Sequence, residues 1–358
     1  PARHRLHLEL ATRTMKTSLT NLTAAEIAEV LHLKPFQGKQ IFRWIHQKTV
    51  FDFDRMTDLS KDLRARLHET CTAGQLQLVG VSSSPRATGT KKALFKLADG
   101  ETVESVLIRE KDRVTICLST QVGCAVKCSF CATGHSGYTR NLTPGEIVEQ
   151  ALHLLADENM GERTPNIVYM GMGEPFRNYD ATVRSVRLLM SPDGLGIGAR
   201  RITVSTVGEV KGIERFANED WQVRLSVSLH AANDAKRSEL IPLNRKYPIA
   251  QLKQAIRTYI DKTGRQITFE WTLLDGVNDS QQDAAELAAL ARSLQAHVNL
   301  IPYNPVTGLG YAPPPRERCE SFLSALEQAN VSATLRKEKG QDIDAACGQL
   351  RRRHLDSQ

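Results

Sequence analysis

Residues 113–131 run Arg113-Val-Thr-Ile-Cys117-Leu118-Ser-Thr-Gln121-Val-Gly-Cys124-Ala-Val-Lys-Cys128-Ser-Phe-Cys131, a short apolar, β-branched stretch followed at once by three closely spaced cysteines. Arg113–Leu118 has the composition of a buried strand. The C-x3-C-x2-C spacing puts three thiols in one tight loop, where as thiolates they can hold three irons of a [4Fe–4S] cube. The fourth iron then has no protein ligand, and an open position is what a catalytic metal needs and a structural one avoids. The run alone leaves a second reading open. His135 extends it to C-x3-C-x2-C-x3-H, the ligand set of a Cys3His zinc site.

Working outward, the same strand opens a series. Apolar strand patterns recur at Asn166–Met170, Arg201–Thr206, Val223–Leu229, Ile267–Leu274 and His297–Ile301. Helical spacing of apolar residues separates them at Thr143–Leu155, Tyr179–Met190, Val210–Ala217, Ile249–Lys262 and Ser280–Leu294. A further helix at Glu317–Ala329 leads into Ala333–Arg336. Six β-α repeats predict an α/β fold with a parallel sheet and right-handed crossovers, a partial (β/α)6 TIM-like barrel. In such an architecture the active site lies at the C-terminal ends of the strands. The cysteine loop follows the first strand and falls at that end.

Ahead of the barrel, Thr23-Ala-Ala-Glu26 has the form of a capping box opening Ile27–Leu33, and Gln40–His46 and Lys61–Glu69 are also helix-like. Lys34, Lys39, Arg43, Lys48, Lys61, Arg64 and Arg66 stud this block. They read equally as the solvated face of a small bundle or as an RNA-docking surface. Ala93–Val106 carries a β-hairpin signal with Asp99-Gly100 as its turn. The expected organisation is an extension over 1–18, a helical accessory domain over 19–85, a hairpin linker over 86–110, the barrel over 111–341 and a C-terminal segment over 342–358.

The chain of 358 residues is 41% apolar, enough for a sizeable core, and carries 47 Lys and Arg against 40 Asp and Glu, a net charge of +7. That excess is compatible with a polyanionic partner without identifying one. No apolar stretch approaches the roughly 20 residues of a membrane span. Residues 1–14 are polar and basic, unlike a secretory signal, and Met15 offers an alternative start. Seven cysteines in such a chain read as metal-binding or catalytic rather than as a disulfide scaffold, and the expected location is cytoplasmic.

Each later strand ends in a polar or glycine-bearing segment: Met170-Gly-Met-Gly173-Glu174-Pro175, Ser205-Thr206-Val-Gly208, Ser228-Leu229-His230 and Pro302-Tyr303-Asn304-Pro305. Any one of these is an ordinary loop on its own, and a lone histidine such as His230 is usually structural. Four at the same barrel end point to a shared ligand pocket, in which Glu174 can accept bonds from an ammonium. Cys117 by itself reads as a buried, inert strand cysteine. Cys347 lies in a loop-like Asp- and Ala-rich segment followed by glycine and is the more plausibly reactive of the two. Cys71 and Cys319 read as structural.

With these motifs assembled, the chain resembles the RlmN/Cfr family of radical S-adenosylmethionine (SAM) RNA methyltransferases, most nearly its RlmN branch. The matching runs are Gln121-Val-Gly-Cys124, Cys128-Ser-Phe-Cys131-Ala-Thr-Gly134, Arg140-Asn-Leu-Thr143, Met170–Pro175, Ser228-Leu-His230, Asn299-Leu-Ile-Pro302-Tyr-Asn-Pro305 and Asp342-Ile-Asp-Ala-Ala-Cys347-Gly-Gln-Leu350. They span 103–350, and the helical amino-terminal block suits the family's RNA-binding module. The resemblance implies one [4Fe–4S] cluster on Cys124, Cys128 and Cys131. It implies SAM held by Gly173, Glu174, Ser205, Ser228, Leu229, His230 and Asn304. It also implies that Cys347 becomes S-methylcysteine, that Cys117 removes the C2 proton and resolves the adduct through a transient Cys117–Cys347 disulfide, and that Glu104 is a proton acceptor. The implied partners are 23S rRNA, tRNA and an electron donor such as flavodoxin or ferredoxin, with the enzyme a monomer.

Three rivals stand beside this reading. A Cfr-type enzyme would methylate adenine C8; such enzymes commonly have alanine where this chain has Pro175. A zinc-dependent RNA-binding protein would have no catalysis. A radical SAM enzyme acting on a protein or small molecule fits poorly with the basic helical block and the Cys347 motif.

Overall fold

A computed structural model describes residues 16–86, 89–110, 113–156, 158, 160, 164–336 and 340–350. The extension as far as residue 15, with Met15, and the basic residues 351–354 lie outside the described residues. Six parallel strands follow one another across the sheet: Arg113–Cys117, Asn166–Tyr169, Ile202–Thr206, Arg224–Ser228, Thr268–Leu273 and His297–Pro302. Helices Pro144–Ala156, Tyr179–Met190, Val210–Phe216, Ile249–Thr263 and Gln281–Leu294 make the crossovers, as parallel pairing requires. A seventh strand, Ala333–Leu335, adds in parallel to the sixth, pairing with Val298–Leu300 after helix Arg316–Gln328.

The expected linker hairpin is part of the same sheet. Thr102–Glu110 pairs antiparallel with the first barrel strand, Val106 opposite Cys117, and Lys91–Lys96 and Gln77–Ser83 extend it outward. Residues 77–83, read from sequence as the end of the helical block, thus form the outermost strand. The reason is backbone pairing: without these strands the first barrel strand would present an open row of N–H and C=O groups.

Side chains alternate along the barrel strands. Ile202 and Val204 are buried on the helix side while Thr203 and Ser205 occupy the other face. Leu225, Val227 and Leu229 alternate with Ser226 and Ser228, and Phe269, Trp271 and Leu273 with Thr268, Glu270 and Thr272. Parallel strands covered on both faces usually read as continuous apolar runs. A period of two means that only the helix-facing side is apolar, and that the lumen is lined by hydroxyls, amides and a carboxylate, as in barrels that hold a ligand.

The accessory unit is a small helical layer of Ala24–Val30, Pro35–His46 and Lys61–Thr70, closed by parallel pairing of Thr17–Ser18 with Cys71–Thr72. The Thr23–Glu26 capping box forms at the first helix, with Leu19, Ile27, Ile41, Phe42, Ile45, Leu63 and Leu67 as core. Two of the basic side chains, Lys39 and Arg43, reach across to Asp193 at 2.8 and 3.3 Å. The unit is fastened to helix Pro144–Ala156 through the fully buried Glu149. Its carboxylate accepts the Thr20 hydroxyl at 2.6 Å and the backbone N–H groups of Gln75 and Leu76 at 2.6 and 2.7 Å. Arg184 adds an ion pair to Glu26, and Gly145 N–H donates to Asn21 at 2.7 Å.

Burial raises the Glu149 carboxyl to about 7 despite those three donors. A raised folded-state value means that its stabilising contribution is complete below the ordinary value near 4.5 and is lost as pH rises through 7. We expect the urea midpoint of the wild type to fall between these values relative to that of Glu149→Gln. Parallel pH profiles for the two proteins would contradict the assignment.

Candidate functional site

The cysteine loop is pinched at its base. Gln121–Gly123 pairs antiparallel with Tyr138–Asn141, and Cys124 N–H donates to the Gly137 carbonyl at 2.9 Å. Gly123 has φ +76°, and a Cβ there would lie 1.7 Å from that same carbonyl oxygen, so no larger residue fits. Between these strands Cys131 caps the short helix Ala132–His135. Burial pushes the Cys124 thiol up to about 12 and holds Cys128 well above its ordinary range, with the neighbouring thiols adding to the effect in both. Thiols so placed ionise together only around a metal charge. The buried Arg237 guanidinium adds a further positive charge facing Cys128. It is fixed by bonds to the Leu229 and Val207 carbonyls and to Asn244.

The donor set fits an iron–sulfur cube better than a zinc ion. Among the described residues, the three sulfurs and His135 do not make a group of ligand atoms all within 4.8 Å of one another, as one tetrahedral ion would gather. His135 Nε2 instead lies 3.0 Å from the Ser129 carbonyl oxygen.

The residues expected to hold SAM surround the loop from the next strand ends. Glu174 is buried; its carboxylate accepts Phe176 N–H at 3.0 Å and Val207 N–H at 2.9 Å, and burial raises it to about 7. Gly173, at φ +102°, packs on Gln121, where a Cβ would meet the side chain at 2.6 Å, and Gln121 Oε1 accepts Glu174 N–H. The glycine is therefore required by contact between two loops, independently of any ligand. Ser205 and Ser228 oxygens stand 3.4 Å apart on neighbouring strands. His230, at φ +58°, packs against Phe130 of the cysteine loop at 4.8 Å; its Nδ1 accepts Thr272 N–H, and burial depresses its pKa to about 3, keeping the ring neutral.

Leu229 does not join them through its side chain. Strand alternation turns it outward, beside Leu252, Ile256 and Phe269. Its backbone groups are engaged with Glu270 and Arg237. Asn304 donates to the Cys347 carbonyl at 3.3 Å and so anchors the C-terminal segment at the barrel mouth.

That segment is the other half of the site. Ala132 N–H donates to the Gly348 carbonyl at 2.9 Å, the Thr133 hydroxyl to the Leu350 carbonyl, and Gln349 to the Pro305 carbonyl. Cys347 is thereby exposed at the mouth and yet surrounded by protein. Cys117 and Cys347 face one another electrostatically, and Cys347 also faces Cys131. Burial pushes Cys117 up to about 12 and raises Cys347; the Arg336 guanidinium works against both. Glu104 is buried with Lys92 at 3.2 Å, and Lys92 also donates to the Asp344 carbonyl. The carboxylate therefore helps to tie the C-terminal segment to the sheet. All seven cysteines are free thiols in this structure.

Sequence reasoning passed over Arg336, Glu270 and Arg237. Arg336 and Glu270 both face Cys347, and among the described residues Glu270 Oε2 is buried without a hydrogen-bond partner. A lone carboxylate between Phe269 and Trp271 in an apolar strand was the available signal for Glu270. Arg237 lies on an exposed-looking helix, and nothing local marks it.

Comparison with known proteins agrees with this geometry. Residues 118–288 match the Radical SAM superfamily, and residues 17–73 match the ribosomal RNA large subunit methyltransferase N-terminal domain. The chain is 48% identical to a probable dual-specificity RNA methyltransferase RlmN of Heliobacterium modesticaldum, over 94% of this chain and 89% of the relative. It is 45% identical to one of Thermotoga maritima, over 98% of each. A crystal structure of a radical SAM methyltransferase from Sphaerobacter thermophilus superposes with a TM-score of 0.90 at 48% identity, covering 94% of this chain and 99% of that one. The family uses a [4Fe–4S] cluster and SAM, for which Cys124, Cys128 and Cys131 are the fitting ligands here. The chain belongs to the RlmN family of radical SAM RNA methyltransferases.

Proposed function

We propose that this RNA methyltransferase methylates C2 of an adenine in 23S rRNA, beside the peptidyl-transferase centre, and of the adenine 3′ of the anticodon in tRNA. It would do so in the cytoplasm, as a monomer, through Cys347 as methyl carrier. The observation that carries this reading is where Cys347 is held: Asn304 donates to its carbonyl and Ala132 of the cluster loop to that of Gly348, within electrostatic reach of Cys117 and Cys131. Adenine C2 is a poor nucleophile, so direct transfer from the SAM sulfonium fails and a carrier is needed. When bound, the cluster and SAM supply a methyl group and a 5′-deoxyadenosyl radical.

The protein's part follows from its residues. Burial raises the Cys347 thiol and the Arg336 guanidinium works against that rise; as thiolate, Cys347 accepts the methyl and S-adenosylhomocysteine leaves. After the methyl group on Cys347 has lost a hydrogen atom and bonded to adenine C2, Cys117 takes the C2 proton, and the unpaired electron of the adduct would pass to the oxidised cluster. The Cys117 sulfur, as thiolate, then attacks the Cys347 sulfur and breaks its bond to the methylene carbon; a disulfide forms, and the released carbon takes up a proton to become the methyl group of the product. Glu174, Ser205, Ser228, His230 and Asn304 bound the SAM pocket, with Gly173 shaping its wall. Among the described residues, no helix is long and apolar enough to cross a membrane. Mass analysis of the methylated nucleoside tests the C2 assignment, since 8-methyladenosine would mean Cfr-type chemistry.

Replacing Cys124, Cys128 or Cys131 by alanine should abolish both bound iron and methylation. Full iron content and activity in any of the three would end the cluster assignment. Cys347→Ala should assemble the cluster and still cleave SAM slowly, while transferring no methyl. Cys117→Ala should stall after addition and purify with RNA bonded to Cys347, resistant to denaturant and trimmed by nuclease to a short stub. If Cys117 only packs the barrel, its alanine variant would lose about 1 kcal/mol of stability and turn over normally.

A further inference from the structure

We propose that a cationic groove on the Cys124 side of the cluster loop is the docking surface for an acidic protein that delivers single electrons, a reduced flavin- or iron–sulfur-carrying donor. This rests on the cluster being held by Cys124, Cys128 and Cys131. The groove encloses about 520 Å³ and is lined by Ala125, Arg177, Glu209, Lys211, Arg215 and Lys246 among others. Its lining carries four cations against a single carboxylate.

Two observations put the groove against the cluster loop. Ala125 follows Cys124 directly, and Arg177 both lines the groove and is one of the charges facing Cys124. A protein seated there is separated from a cluster ligand by little more than loop backbone. The charges are also held in place. Arg177 pairs with Glu209 at 3.4 Å, and Arg215 lies 3.8 Å from the Tyr179 ring centroid while pairing with Asp180. Lys246 stands fully in solvent, 4.7 Å over the Tyr247 ring. Tyr138, on the rim, is 45% exposed and gives an apolar contact of the kind found at interface cores.

An RNA backbone would also suit four cations, so the choice between partners rests on position. The thiol that meets RNA is at the opposite end of the cysteine loop. Cys347 is fastened to that end by the Ala132–Gly348 and Thr133–Leu350 bonds and by Asn304. Electron entry beside Cys124 and substrate entry beside Cys131 can then proceed without one macromolecule displacing the other. The need for an external donor follows from the chemistry. Each radical cleavage of SAM consumes one electron, and the two remaining cysteines are buried, Cys71 in the accessory unit and Cys319 within helix Arg316–Gln328. The donor loses one electron, the bound cluster gains it, and no atom is transferred. Charge complementarity of this kind speeds encounter and weakens as salt screens it.

The test uses the loaded enzyme and the double variant Lys211→Glu/Lys246→Glu, with an acidic flavodoxin as probe and a tRNA as control. Affinities are measured by titration calorimetry at about 50 mM and about 300 mM salt. We expect the variant to bind flavodoxin about tenfold or more weakly at low salt, with the difference shrinking at high salt. Iron content, tRNA affinity and SAM cleavage driven by dithionite, which needs no docking, should match the wild type. Unchanged flavodoxin affinity overturns the proposal, and a fall in tRNA affinity alone reassigns the groove to RNA. If the charge reversals reduce iron content, Lys211→Gln/Lys246→Gln replaces them, with a smaller loss of flavodoxin affinity expected and no loss overturning the proposal. Absence of dithionite-driven cleavage in the wild type would strike the cofactor reading itself and the docking proposal with it.

Discussion

Three thiols crowded into one loop, one buried and two half-buried, cannot all carry charge unless a cation lies among them, and much of the structure serves that condition. The loop must be closed tightly enough to hold Cys124, Cys128 and Cys131 together, which the Gly123–Gly137 contact achieves at a spacing that excludes any side chain. It must also be shielded from water on one side, which Phe130 and His230 accomplish by packing together. Arg237 brings a fixed positive charge beneath Cys128 and joins the ends of the third and fourth strands through Val207 and Leu229. Burial raises the Cys124 and Cys128 thiols, so the loop favours metal-bound thiolates over free ones. Metal affinity and loop order are coupled for that reason.

The barrel supplies the complementary property, a polar interior with an apolar exterior. Ser205, Ser226, Ser228, Glu270, Thr272 and Asn299 sit on alternate positions of strands whose other residues pack on helices. Most of these polar groups satisfy one another: Asn299 donates to Glu270 at 3.2 Å, and Ser205 lies against Ser228. Glu270 Oε2 has no such partner among the described residues. A buried oxygen of this kind is costly in a purely structural role. Around it, Arg336 and Cys347 make an electrostatic group in which one guanidinium serves two thiols, Cys117 and Cys347, and two carboxyls, Glu270 and Glu110.

The C-terminal segment shows how a thiol is brought to the barrel mouth from outside the barrel. Cys347 belongs to no strand, and its position depends on backbone bonds to the cluster loop and to Asn304, and on Lys92, which also pairs with Glu104. A residue on a segment held by several weak contacts can be accessible and still be oriented. Glu149 plays the corresponding part for the accessory unit, gathering Thr20, Gln75 and Leu76 onto one carboxylate.

Much of this was legible in the chain. The cysteine spacing, the alternation of strand and helix from residue 113 onward and the Thr23–Glu26 cap are local patterns. Local patterns reflect backbone geometry and ligand chemistry, which short stretches of sequence determine by themselves. The polar strand ends at Glu174, Ser205, Ser228 and Asn304 could be read as one barrel end because parallel strands align their C-termini. The structure alone brought residues 77–110 into the barrel sheet, since pairing of an edge strand depends on what lies beside it. It turned Leu229 outward, a matter of strand phase within the sheet. It also brought Arg237 to Cys128 across 109 residues of chain, and Glu270 and Arg336 to Cys347 across 77 and 11, neighbours in space only through the barrel's closure. Charges act through space and leave no mark on their sequence neighbours, so the sequence alone determined which atoms could bind the cluster, and the tertiary fold decided which charges those atoms would feel.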